Sequence, residues 1–287
     1  MSALIIVVLA PLLHGAMRKL RARLQGRPGP CVIQPYRDLV KLWRKEALLP
    51  EGARIAGYVP GLVLGVAATF AASLPMLGSP GAFFSSVDIV ALVLLLAAGR
   101  FALTLAALET RSVFEGMAAS REMTFAALTE PTLLIALFAE VAPGHGVRMD
   151  ALGGANAFTL SGAAAFAALF LVILTETARI PIDNQETHYE LTMIHEGLLL
   201  EFSGPHLAML HLAAQIKQLC YLALGALLLP GYWWAYPLWI LALGVAITFV
   251  ETFSAKLRLY EIPQLLATAF LFAASSIAVR FFGNPLP

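Results

Sequence analysis

Eight stretches of this chain are apolar over lengths close to or above the roughly 17–25 residues a helix needs to cross a bilayer. They lie at about 2–17, 55–77, 85–108, 124–142, 156–177, 206–229, 232–253 and 262–282. That pattern leaves little choice of fold, because a backbone in hydrocarbon must satisfy its polar groups internally, and helices do so within one segment. Composition agrees. Hydrophobic residues make up 59% of the chain and charged ones 13%, where a soluble domain carries about 25% charged residues. The predicted fold is all-α, a polytopic bundle of about eight transmembrane helices forming one integral membrane domain over 1–287. The first span is short, but Lys and Arg follow it rather than precede it, so it reads as a retained helix and not as a signal peptide.

Charge orients the bundle. Residues 18–54 hold ten Lys/Arg: Arg18, Lys19, Arg21, Arg23, Arg27, Arg37, Lys41, Arg44, Lys45 and Arg54. With eight spans, Arg111, Arg121, Arg179, Lys256 and Arg258 fall on the same side, against only Arg148 and Arg280 on the other. The positive-inside rule then places both termini outside and the ionic loops in the cytoplasm, at about 18–54, 109–123, 178–205 and 254–261.

Several chemistries find no support. A net charge of +1 without a basic-aromatic patch gives no reason to expect nucleic acid. Cys31 and Cys220 are far apart on different elements, whereas a metal or iron–sulfur site needs three or four closely spaced ligands. No phosphate-binding glycine loop follows a strand, and no Ser/His/Asp order stands out. There is no internal repeat of the kind a stand-alone secondary transporter usually carries, so that reading ranks last.

The informative residues are therefore the ionisable ones within or at the ends of spans: Arg100, Glu130, Glu140, Glu176, Lys217 and Glu251. Each costs at least about 2.5–3.5 kcal/mol at a helix centre, and such groups pair with one another or line a pathway. Arg100 and Glu251 read equally well as interhelical ties. Glu140, near the outer end of span four, is expected to be exposed. Glu130 precedes Pro131, whose missing N–H frees a carbonyl one turn earlier and gives water a foothold beside the carboxyl group. It is the leading candidate for a proton path. On span six His211, Gln215 and Gln218 share one stripe, and His206 and Lys217 another. Lys217 is either a proton-exchanging group or the partner of Glu176 or Glu201.

Between Glu176 and Glu201 lie six of the chain's 18 acidic residues. Pro181 forbids an unbroken helix there. Asp183 and Glu186 have capping-box spacing, and a helix starting at that point would set Glu186, Glu190, Gly197 and Glu201 on one side. The apolar Leu198, Leu199, Leu200 and Phe202 do not suit an open loop, so the segment is expected to cover a partner or dip toward the bilayer. The basic segment 18–54 is punctuated by Gly26, Pro28, Gly29, Pro30 and Pro35, which points to an ordered docking platform more than a floppy lipid tether.

These motifs resemble one family. Arg23-Leu24-Gln25-Gly26-Arg27-Pro28-Gly29-Pro30, with Asp38 and Lys41-Leu42, is similar to the segment after the first helix of the membrane subunit shared by respiratory complex I (NADH dehydrogenase subunit 1) and energy-converting [NiFe] hydrogenases. Arg121 and Glu130 keep that family's nine-residue separation. Glu176 to Asp183 resembles its Glu-x-x-Arg-x-Pro-Phe-Asp signature, with Ile182 in the Phe position, and Ala255 to Pro263 resembles its basic loop before the last helix. The interval from Glu190 through Glu196 to Glu201-Phe202 resembles the formate hydrogenlyase and hydrogenase-4 branch, and favours a partner that reduces protons rather than quinone.

The resemblance implies a non-catalytic subunit in a bacterial inner membrane that binds no redox cofactor itself. The [NiFe] centre and iron–sulfur clusters would lie in partners: hydrogenase large and small subunits and an iron–sulfur relay subunit, beside antiporter-like membrane subunits and membrane lipid. Arg23, Arg27, Asp38, Arg121, Arg179, Asp183, Lys256 and Arg258 would support the peripheral arm. Glu130, Glu176, Glu190, Glu196, Glu201 and Lys217 are the candidates for a proton-exchanging chain, in a complex that would link electron transfer to proton or sodium translocation. The second reading is a quinone-site subunit of a complex I-type enzyme.

Overall fold

The apolar stretches fold as helices that exchange hydrogen bonds within themselves. The structure, a computed structural model, describes residues 2–50, 52–74, 87–141, 146–152, 159–183, 193–230 and 235–283. Nine α-helices lie in these residues: α1 Ser2–Leu24, α2 Gln34–Trp43, α3 Ile55–Ala72, α4 Ile89–Glu109, α5 Val113–Ala139, α6 Leu160–Glu176, α7 Gly204–Leu227, α8 Tyr236–Phe253 and α9 Ile262–Gly283. By length and composition six of them can cross a membrane: α3, α4, α5, α7, α8 and α9. Helix α6 is apolar but shorter, and α1 joins an apolar start to a basic end.

Helix α7 is the hub. It packs on α1, α2, α3, α6 and α8, while α9 closes the far side against α5 and α6. Tyr221 of α7 is fully buried, its ring edge-on to Phe70 of α3 with centroids 5.3 Å apart. The outside is apolar as well: Leu62, Leu94, Leu241 and Leu271 are all more than 45% exposed. In water such a surface would aggregate. Against acyl chains it is the expected one.

The connections sort to two ends. At one end, Arg21 of α1 meets Glu251 of α8, Glu109 of α4 accepts from Arg54 N and Ala56 N at the start of α3, and Leu257 N donates to Pro181 O. At that end too, Leu48 and Ser203 exchange two hydrogen bonds, and Gly204 takes φ +54° with the Glu46 carbonyl where a Cβ would stand. At the other end, a bridge joins Asp88 to Arg148, and Arg280 donates to the Ala139 and Val141 carbonyls.

The loop boundaries differ from expectation. Helix α1 runs on through Arg18, Lys19, Arg21 and Arg23, and α2 occupies part of 18–54. Helix α5 starts at Val113 rather than near 124, so most of the expected loop 109–123 is helical. The physical reason is pairing. Glu115 accepts from the Thr110 hydroxyl and the Glu201 N–H, so its carboxyl group is hydrogen-bonded where the first turn is buried. Between Met193 and Leu200 the chain makes only a short 3-10 helix, Glu196–Leu199, so no regular helix carries Gly197 and Glu201 on one face. The predicted helix start at Glu186 lies outside the described residues. Leu198 and Phe202 are buried, as their apolar character requires, while Leu200 is 41% exposed.

Candidate functional site

One guanidinium organises the interior. Arg100 leaves α4 in mid-bundle, where a lone charge would be expensive, and three carboxylates meet it. Nε lies 3.2 Å from Glu122 Oε1, Nη1 lies 3.0 Å from Glu130 Oε1, and Nη2 donates to Glu176 Oε1. Glu122 and Glu130 both come from α5, eight residues apart and so on one face; Glu176 is the last residue of α6. The other oxygen of Glu176 accepts from Tyr221 OH at 3.0 Å and from Lys217 Nζ at 3.4 Å, both on α7. Three carboxylates thus face two cations, Arg100 and Lys217.

The cluster continues toward the loops. His195 Nε2 lies 3.5 Å from Glu122 Oε2, and its Nδ1 lies 3.9 Å from Asp183 Oδ2. Asp183 also holds Lys256 at 3.0 Å and accepts from the N–H groups of Ile194 and His195. Ionisable groups thus follow one another from the basic loop at Lys256 through Asp183, His195, Glu122 and Arg100 to Glu130. Glu130 stands about 25 Å along α5 from Val113, and its side chain is 31% exposed.

A second cluster sits across from the first. Arg179 Nη1 lies 3.3 Å from both oxygens of Glu251, which Arg21 also meets at 2.9 Å. Arg179 Nη2 donates to Gln218 Oε1 at 3.1 Å, and His14 Nδ1 lies 2.8 Å from the same oxygen. Between Glu176 and Arg179, Ala178 adopts φ +51°, a left-handed conformation uncommon for a residue with a Cβ, and the turn directs the two side chains into different clusters.

Between the clusters is a cavity of about 440 Å³. Its walls come from α1 (His14, Arg18), the inner face of α2 (Asp38, Leu39), α4 (Leu96, Arg100), α7 (His211, Gln215, Lys217) and the segment around His195 and Glu196. Gln215 Oε1 is buried there without a hydrogen-bond partner among the described residues. Burial first, and then repulsion from Asp183, pushes the Glu196 carboxyl up to about 7, so it changes charge near neutral pH. Among the described residues no group of three or more His, Cys, Asp or Glu gathers as a metal site.

Of the residues expected to exchange protons, Glu130, Glu176 and Lys217 meet around Arg100, and Glu196 lines the cavity. Glu201 does not join them. It is exposed, and its backbone N–H serves Glu115. Glu190 lies outside the described residues. Of the residues expected to dock a partner, Arg23, Arg27 and Arg258 are exposed, whereas Arg179 and Asp183 are buried at 3% and 1%. Those two are corrections: each is used up by internal partners, which hold the turn and loops together. Arg121 donates to Met193 O at 2.7 Å, Lys256 is engaged with Asp183, and Asp38 accepts from Gln34 at 2.8 Å and faces the cavity. Glu140 is a further correction, since it is 1% exposed, folded in beside α9's Arg280.

Sequence reasoning did not single out Glu122, His14 or Tyr221. Glu122 was legible in principle, because Glu115, Glu122 and Glu130 recur at seven and eight residues, but only once α5 is begun at Val113.

Comparison with known proteins bears on this geometry. The NADH dehydrogenase family model matches residues 1–281. The chain is 32% identical to hydrogenase-4 component C of Escherichia coli (strain K12), over 80% of this chain and 74% of that protein. It is 30% identical to formate hydrogenlyase subunit 4 of the same strain, over 95% of this chain and 94% of that one. In fold it superposes with TM-score 0.79 on a chain of the membrane-bound sulfane sulfur reductase, an archaeal respiratory membrane complex. That match covers 97% of this chain and 98% of the other at 18% identity, and speaks for the fold alone.

Proposed function

The chain belongs to the NADH dehydrogenase family, and we propose that it serves as the integral membrane subunit of a membrane-bound [NiFe] hydrogenase of the formate hydrogenlyase type. In this reading it anchors the peripheral redox arm and links electron transfer there to translocation of protons or sodium ions. The loop-bearing end faces the cytoplasm of a bacterium, both termini lie on the outer side of the inner membrane, and the redox centres belong to the hydrogenase and iron–sulfur relay subunits. Antiporter-like membrane subunits receive the displaced charge.

The carrying observation is the succession of ionisable groups from Lys256 to Glu130, with Glu176 and Lys217 at its side. Each member sits within ion-pair distance of the next, so a change of charge at the loop end alters the proton affinity of the carboxylates beyond it. This chain needs no cofactor to do so. Its contribution is electrostatic coupling between a docking end and a partly exposed carboxylate in the membrane.

Glu130→Gln tests the reading. The substitution keeps size and hydrogen bonding but removes titration. In an assembled complex, verified by co-purification, ion pumping into vesicles should fall while hydrogen production with an artificial donor persists. Normal pumping in the intact variant complex would remove Glu130 from the path.

The cavity favours a second reading, a quinone site. Its volume lies in the range of small-molecule pockets, and the Gln215 oxygen, without a partner among the described residues, can accept from the hydroxyl of the reduced quinol, the form of the ligand that carries a donor. Protection of Gln215 or His211 neighbourhoods by a quinone analogue, with loss on Gln215→Leu, would favour it over proton reduction.

A further inference from the structure

We propose that the outward face of α2 is a binding site for anionic phospholipid headgroups, seated at the edge of the bilayer rather than in the water above it. This stands apart from the hydrogenase reading and does not depend on it.

Helix α2 has two unlike faces. Pro35, Asp38 and Leu39 turn toward the cavity, while Ile33, Arg37, Val40, Lys41 and Arg44 are exposed along the opposite side. Trp43 flanks them at 58% exposure. The outer face is thus basic and apolar with no acid, and Tyr36, Arg37, Val40, Lys41 and Arg44 enclose a shallow pocket. A face turned to water has no use for exposed Ile33, Val40 and Trp43. One buried in acyl chains would not carry three cations. The combination suits the layer between, where aromatic rings and basic side chains collect.

The position of the helix supports that depth. Adding a Cβ to Gly15 of α1 would place it 2.0 Å from the Val32 carbonyl oxygen and 3.1 Å from Pro35 Cδ, so the start of α2 rests directly on α1 at Gly15. Tyr36 reaches further and donates to the Val8 carbonyl. Val8 lies ten residues before Arg18, roughly 15 Å along the axis from the first basic side chain of α1. The Tyr36 ring therefore descends into the apolar part of α1, whose neighbouring surface is exposed: Leu4 at 71%, Val8 at 53%, Leu12 at 40%. A lipid whose phosphate meets Arg37 and Arg44 has an apolar wall ready for its chains.

The probe is phosphatidylglycerol in phosphatidylcholine nanodiscs holding the full chain with its co-purifying subunits. Phosphatidylglycerol brominated near the top of its acyl chains should quench Trp43, measured as the difference from Trp43→Phe, which subtracts the other tryptophans. In native mass spectrometry the protein should retain phosphatidylglycerol over phosphatidylcholine. Arg37→Gln/Lys41→Gln/Arg44→Gln should cut that preference by up to roughly a hundredfold, since each of the three cations near an anionic surface contributes about fivefold. Unchanged retention, or release of a soluble subunit with retention unchanged, would overturn the proposal in favour of a protein partner. If the triple variant does not fold, quenching of the native chain decides alone: Trp43 quenched by aqueous iodide and not by brominated lipid sinks the idea.

Discussion

Arg179 Nη1 lies 3.3 Å from each carboxylate oxygen of Glu251, a contact that ties the turn after α6 to the last turn of α8. Both side chains are at most 4% exposed, so the pair sits where removing one partner strands the other. Arg179→Met is expected to destabilise the protein by about 3 kcal/mol, the low end for a broken buried pair, because Arg21 still reaches Glu251. Arg27→Gln, on the exposed turn after α1, should stay within about 0.5 kcal/mol. Thermal unfolding in detergent separates them. Equal, small effects would return Arg179 to the surface role its sequence position first gave it.

Arg100 faces three carboxylates, so its loss should be worse than the loss of any one of them. Arg100→Leu is predicted to cost about 3–5 kcal/mol, whereas Glu122→Gln leaves Glu130 and Glu176 in place and should cost less. Combining Arg100→Leu with Glu122→Gln and Glu176→Gln should recover part of the stability, a non-additivity expected within one network. Strict additivity of the unfolding temperatures would show that these groups do not act together.

Glu196 carries a pH signature. Its folded pKa is raised to about 7, so the folded state binds a proton that the unfolded chain has already lost. The stability it confers is complete below the ordinary carboxylate pKa and disappears as pH rises toward and through 7. Protease resistance of the segment near Glu196 should therefore decline from pH 5 to pH 8 in the native chain, and Glu196→Gln should flatten that decline. An identical slope in both proteins would locate the titrating group elsewhere.

Docking of a peripheral arm is now best tested at the exposed cations. Arg23→Glu/Arg27→Glu should release the soluble subunits from washed membranes while this chain remains inserted at its normal level. Intact complexes recovered from that variant would show that the turn after α1 carries no docking contact.

How much was legible follows from where each charge lies. The spans could be read because a membrane helix is apolar around its whole circumference, and Glu130 stood out as a carboxylate beside a proline within such a span. Glu122 was lost because three ionisable residues in eight, Glu115, Arg121 and Glu122, make the start of α5 look like a loop; only their buried partners explain how a helix tolerates them. Arg179 and Asp183 were read as surface groups because loop charges usually are. Here the turn is drawn inward by Glu251 and Lys256, and those partners lie 72 and 73 residues away in sequence. Glu140 was placed outside for the same reason, and Arg280 of α9, 140 residues later, is what draws its end of α5 inward.

The turn at Ala178 has a practical consequence for anyone recombining this protein with a relative. Glu176 and Arg179 belong to different polar clusters, yet only two residues separate them. A chimaera joined anywhere between α6 and that turn would split both clusters. It would set Glu176 of one parent against Lys217 and Tyr221 of the other, and His14 and Arg21 of one against Gln218 and Glu251 of the other. Exchanges cut after Leu227, where α7 ends, would keep Glu176, Arg179, Lys217 and Gln218 on one parental side. Their failures would then report on α8, α9 and pairs that cross the cut, such as Arg179–Glu251 and Asp183–Lys256.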